Sequence, residues 1–134
     1  MFSKVTTLAL SGLDAIKVSV EVDIRNGLFA INIVGLAGKA VQESKERVFT
    51  AIKNSGFEMP MRRITINLSP ADLIKNSSSF DLPIAVALLV ATNQIKVDIV
   101  KSIIWGELSL EGETLESRGA LTIADYTKTA GYEN

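Results

Sequence analysis

The sequence predicts an α+β domain, a two-layer sandwich of sheet and helices in the order β-β-β-α-β-α-β-β-α. Three observations lead there. Ile16, Val18, Val20, Val22 and Ile24 alternate with Lys17, Ser19, Glu21 and Asp23, the period of a strand with one buried face. Val41, Val48, Ala51 and Ile52 line one side of a helical segment that Asn54-Ser55-Gly56 closes. A strand at Ile64–Leu68 then runs through one Pro and a Ser run into an apolar helix. With 134 residues, 47% of them hydrophobic, residues 1–134 make one domain with room for a core.

The elements follow in turn. Val5–Leu10 is rich in β-branched residues and reads as the first strand. After the second, Ile16–Ile24, Asn26-Gly27 supplies a turn, and Leu28–Val34 is expected to return as its partner strand. Gly35 ends that strand. Lys39–Ser55 reads as one amphipathic helix, with Gln42, Glu43, Lys45, Glu46 and Lys53 facing water and Glu43–Arg47 in the favourable i,i+4 order. Met59-Pro60 keeps the next loop extended before the strand at Ile64–Leu68. The helix from about Ser79 to Thr92 is apolar nearly all round and therefore central, and Pro83 is tolerable there only in the first turn. Ile103–Leu110 and Thr114–Glu116 form a hairpin around Glu111-Gly112, and a last helix covers roughly Leu121–Thr129.

Composition removes several chemistries. The chain has no Cys and no His, which excludes disulfides, thiolate catalysis, the usual zinc ligand sets and every His-dependent triad. No apolar run approaches the ~18 residues of a membrane span, and Met1-Phe2-Ser3-Lys4 does not open a signal peptide, so a cytoplasmic location is expected. Net charge is −1, so there is no global basic field. The charge is uneven, however: Lys39 to Lys75 holds seven Lys/Arg against four Asp/Glu, and Ile103 to the end holds two against six. Such bipolarity suits a docking module as well as an ordinary solvated surface.

The run Ser77-Ser78-Ser79 sits where the first unpaired N–H groups of the apolar helix should point. It can be a helix cap, an anion or partner contact, or a nucleophile turn. A nucleophilic Ser here would need a Lys as its base; Lys75 is close in sequence but is expected to face solvent. Asp81 falls in the helix's first turn, where a carboxylate is favoured and would repel a bound phosphate. Lys39, Lys45, Arg47, Lys53, Arg62 and Arg63 are candidates for DNA contact, although adjacent Arg62 and Arg63 at a strand start point to opposite faces. No aromatic residues interleave with these cations, so no single-strand stacking platform is present. Nothing matches GxxxxGK[ST], so this segment is not expected to hydrolyse ATP, and no carboxylate cluster suggests a metal site.

Residues 31–56 (INIVGLAGKAVQESKERVFTAIKNSG), 62–85 (RRITINLSPADLIKNSSSFDLPIA) and 106–112 (GELSLEG) together resemble the N-terminal domain of the ComM/YifB-like magnesium-chelatase-like AAA+ ATPases. Full-length members of that family continue into an ATPase motor that uses ATP and magnesium, and they are associated with natural transformation and branch migration in DNA recombination. The resemblance implies a domain like the proteolytic domain of Lon, with its own motor, neighbouring subunits and DNA as partners. No cofactor is implied for this segment itself. It also implies a candidate nucleophile: Lon-type peptidases place their Ser at a helix start, which falls on Ser79. Their paired Lys has no counterpart in Arg118-Gly119-Ala120-Leu121-Thr122-Ile123, and Lys128 lies roughly two turns further along the helix.

Two departures from the family's text bear on structure. Ala37-Gly38 replaces a Pro-Asp pair, which leaves the first helix without an obvious cap, and Ser77-Ser78-Ser79 replaces a Gly-Ser-Ala-like run. Family members carry at least one more strand after the Gly-Tyr at 131–132, so the domain is expected to be cut before its last strand and prone to self-association. The expectation is a non-catalytic module for assembly, DNA positioning or partner contact. The enzyme alternative is a Ser-dependent peptidase built on Ser79.

Overall fold

In the computed structural model, residues 1–11, 14–98, 101–115 and 130–132 are described. They form an α+β fold with a mixed four-stranded sheet layered against helices. The strands are β1 (Phe2–Ser11), β2 (Asp14–Arg25), β3 (Ala30–Val34) and β4 (Arg63–Ser69). The helices are α1 (Lys39–Gln42), α2 (Ser44–Asn54) and α3 (Asp81–Ala91), the last preceded by a 3₁₀ turn at Ser78–Phe80. A two-stranded ribbon, β5 (Glu107–Leu108) and β6 (Thr114–Leu115), completes the described elements. This ribbon is much shorter than the hairpin expected from Ile103. The final helix expected at 121–129, and with it Lys128, lies outside the described residues.

The alternation that marks β2 as half-buried holds: Val18, Val20, Val22 and Ile24 are buried, and α3 covers that face of the sheet. Ile64, Ile66 and Leu68 of β4 lie on the same side. The opposite face is polar, with Asn67 Nδ2 donating to Glu21 Oε1 at 3.0 Å across the strands. Ser3 Oγ of β1 donates to Ala87 O at 2.5 Å, tying the outer strand to the middle of α3.

One expected pairing is corrected. β3 is not the hairpin partner of β2, because the sheet order is β1-β2-β4-β3. β4 lies between them, antiparallel to β2 and parallel to β3. The physical reason is the helical crossover. Antiparallel neighbours can be joined by a tight turn, but a parallel pair needs a long connection, and α1 with α2 provides it. The Asn26-Gly27 segment does reverse the chain, over a strand width that β4 then fills.

The segment expected as one helix is two. α1 and α2 meet at Glu43, and Gln42 is half-buried rather than solvated, donating to Ile33 O at 3.3 Å. That bond ties the end of α1 to β3. Gly56 ends α2 with φ +84°, the left-handed conformation its sequence position suggested.

Gly35 has φ +101°, and a Cβ there would lie 2.1 Å from Leu68 O. Both conformation and space demand glycine. Gly35→Ala should therefore lower unfolding free energy by more than about 2 kcal/mol in urea denaturation. A change under about 0.5 kcal/mol would show that β3 can end another way.

Candidate functional site

The candidate site is the corner where the loop after β4 turns into α3. Its serines are not equivalent. Ser77 has extended backbone angles and its Oγ accepts the Ser79 N–H at 3.1 Å, so it is the cap of the turn. The Ser79 hydroxyl, buried, lies 2.8 Å from Ser77 Oγ. Ser78 is half-buried. All three border a cavity of about 380 Å³ shared with Leu10, Trp105 and Glu107.

The N–H groups at this helix start already have acceptors inside the chain. Phe80 N donates to Ser77 O at 3.5 Å, and Leu82 N donates to Gly106 O at 2.9 Å. Gly106 N returns a bond to Ser79 O at 3.0 Å, so the segment before β5 is laced to the turn. Farther back, Ile104 N donates to Thr6 O of β1 at 3.0 Å.

Asp81 is fully buried and has four donors around it. Ser44 Oγ lies 2.5 Å from Oδ1, Arg47 Nε 2.7 Å from Oδ2, Arg47 Nη2 3.1 Å from Oδ1, and Leu108 N 3.1 Å from Oδ2. A buried carboxylate is tolerable only when paired and hydrogen-bonded, and this one is both. The hydrogen-bonded carboxylate raises the Arg47 pKa above the ordinary arginine value, against the opposing effect of Arg47's own partial burial. Arg47 also donates to Ala40 O at 3.1 Å and meets Glu43 at 3.6 Å, so it is turned inward onto α1, α2 and α3. Among the cations considered for DNA contact, Lys39, Lys53, Arg62 and Arg63 are exposed and Lys45 is half-buried. Lys53 Nζ sits 5.2 Å over the Phe49 ring, and Arg63 lies opposite Arg25 in the β2–β4 register.

Lys75 overturns its expected placement. It is not a solvated lysine: its relative exposure is 1%. Its ammonium donates to Gly35 O at 2.7 Å, to Leu68 O at 3.2 Å and to Pro70 O. Burial pushes its pKa down from the ordinary lysine value, with the charge of Asp72 acting the other way. Its backbone bridges to the segment after β3, with Lys75 N donating to Leu36 O at 3.0 Å and Gly38 N to Lys75 O at 2.7 Å.

The cap missing from α1 is supplied from here too. Asn76 Oδ1 accepts Ala40 N–H at 2.8 Å, doing from 36 residues away what Gly38 cannot do locally. A Cβ on Gly38 would stand 2.5 Å from that same oxygen. Sequence reasoning missed Asn76, and the only available signal was the poor cap at Gly38. It also missed Ser44, whose helical spacing with Val41, Val48 and Ala51 places it on the apolar side and was the signal for a polar partner. No group of three or more acidic or other metal-ligating side chains occurs among the described residues.

Comparison with known proteins adds the context. The sequence profile of the family described as Subunit ChlI of Mg-chelatase matches residues 20–134. The chain is 44% identical over 128 residues to the uncharacterized protein YifB of Salmonella typhimurium, covering 95% of this chain and 25% of that protein. It is 45% identical over 125 residues to the Escherichia coli protein of the same name, covering 91% and 24%. Competence protein ComM of Haemophilus influenzae is 40% identical over 114 residues, covering 84% and 22%. The chain thus spans about a quarter of the length of these relatives.

The two caps give separable expectations. Ser77→Ala should cost about 1 kcal/mol in urea denaturation, because the Ser79 N–H loses its acceptor. Asn76→Ala should cost a similar amount, about 1 kcal/mol, and speed amide exchange at Ala40 while leaving Ser79 unchanged. Equal exchange at Ala40 in wild type and Asn76→Ala would remove the long-range cap.

Proposed function

Because the chain belongs to the ComM/YifB family of magnesium-chelatase-like AAA+ proteins, we propose that it is a non-catalytic module of an ATP-driven motor, serving assembly, DNA positioning or partner contact. In this proposal the α+β layers are those of a Lon-like domain, and ATP, magnesium and the motor belong to the rest of the intact, cytoplasmic protein.

The observation that carries the non-catalytic part is the bonding of Ser79 and Lys75. The Ser79 hydroxyl is partnered by Ser77, and the lysine nearest in sequence directs its ammonium at three carbonyl oxygens. An ammonium so engaged is a donor only and cannot take the hydroxyl proton. The acidic residue at the helix start is bonded to Arg47, Ser44 and Leu108, which is a packing role. The docking part rests on exposed Lys39, Lys53, Arg62 and Arg63.

Two experiments test these parts separately. Purified protein should neither react with a fluorophosphonate serine probe nor digest casein. Labelling at Ser79 that disappears in Ser79→Ala would replace the scaffold with a peptidase. For DNA, neutralising Lys39, Lys53, Arg62 and Arg63 to Gln should weaken binding of a labelled duplex several-fold. The slope of log affinity against log salt should become shallower by about 0.9 for each phosphate that is no longer neutralised. Unchanged affinity and slope would leave assembly and partner contact as the functions of this module.

A further inference from the structure

The buried ammonium of Lys75 has a coordination pattern that ordinary surface lysines lack. Its acceptors are three backbone carbonyls, from Gly35 after β3, Leu68 in β4 and Pro70 beyond it. No carboxylate is among them. An ammonium has three N–H donors, so acceptors and donors match one to one, whereas a neutral amine has only two and would break one of these bonds. The oxygens converge through the backbone itself, and glycine is required at 35 for Leu68 O to come this close. Uncharged carbonyls suit a singly charged cation, because divalent ions take carboxylates or keep water.

We propose that Gly35 O, Leu68 O and Pro70 O form a monovalent-cation cage whose resident ion is the chain's own Lys75 ammonium, and that its occupancy orders the cap of α1. The link to α1 is direct. Lys75 is bridged through its backbone to Leu36 and Gly38, and the next residue, Asn76, accepts the Ala40 N–H. With the cage empty, the three carbonyls would lose the ammonium on which they converge, Pro70 O keeping only the Leu73 N–H at 3.4 Å, and the strand ends and the loop between Pro70 and Asn76 would separate. The ligand class that could replace the side chain is a small primary ammonium.

Amide exchange at Ala40 in Lys75→Ala tests the cage. Exchange should be faster than in wild type by about ten-fold or more, and millimolar n-propylammonium, which restores the carbons and nitrogen removed, should bring it back. 1-Propanol fills similar space without the charge and should not. Rescue by 1-propanol to the same degree, or no rescue by either, would overturn the cage. Lys75→Met keeps the volume and should show the same loss of protection; wild-type protection in that variant would also overturn it. Wild-type protein supplies a measurement that needs no folded variant: under reductive methylation Lys75 should react at least about ten-fold more slowly than exposed Lys17, Lys39 and Lys53. Equal rates would overturn the proposal.

Discussion

A carboxylate with no contact with water sets the terms for this domain. Asp81 holds Ser44 and Arg47 of α2 and the backbone of β5 on its two oxygens. Leaving such a group unpaired would be strongly destabilising, so α2, the start of α3 and the 104–108 segment must assemble together. The charge lies at the end of a helix that is otherwise apolar on nearly every side. It therefore fixes the direction of α3 and the register of its first turn, which hydrophobic contacts alone specify less well. The serine turn inherits its geometry from that anchor, since Ser78–Phe80 leads straight into Asp81.

The local parts of the fold were legible in the sequence. Strand faces followed from alternation, the end of α2 from Asn54-Ser55-Gly56, and a cap at the serine run from its hydroxyls. What could not be read was who neighbours whom. Asn26-Gly27 announces a chain reversal and says nothing about whether a later strand will enter the gap. Ile64, Ile66 and Leu68 would suit an edge or a central strand equally well. The four-stranded order emerges only once the helical crossover returns β4 parallel to β3.

The site was legible to a lesser degree, and for a different reason. Lys75 looks solvated because its acceptors are backbone oxygens from Gly35, Leu68 and Pro70, and backbone oxygens leave no trace in side-chain identity. Arg47 reads as a candidate for DNA contact when charge is counted without geometry. Ser44, Arg47, Val48 and Ala51 share one side of α2, and an arginine among buried residues on that side needs an internal anion. Asp81 was the available one. Asn76, capping α1 from a distant loop, shows the same limit for hydrogen bonds that local spacing shows for strands.

These internal bonds also shape the functional picture. At this helix start the Ser77 and Ser79 hydroxyls, the N–H groups of Ser79, Phe80 and Leu82, and the neighbouring Lys75 ammonium find partners within the chain. Lys39 of α1, Lys53 of α2, and Arg62 and Arg63 at the start of β4 are exposed. The account depends most on the Asp81–Arg47 pair being structural. A double-mutant cycle of Asp81→Asn and Arg47→Gln by urea denaturation measures this directly. The coupling free energy should be about 2 kcal/mol or more, with each single change more damaging than independent sites would allow. Additivity within about 0.5 kcal/mol would contradict it.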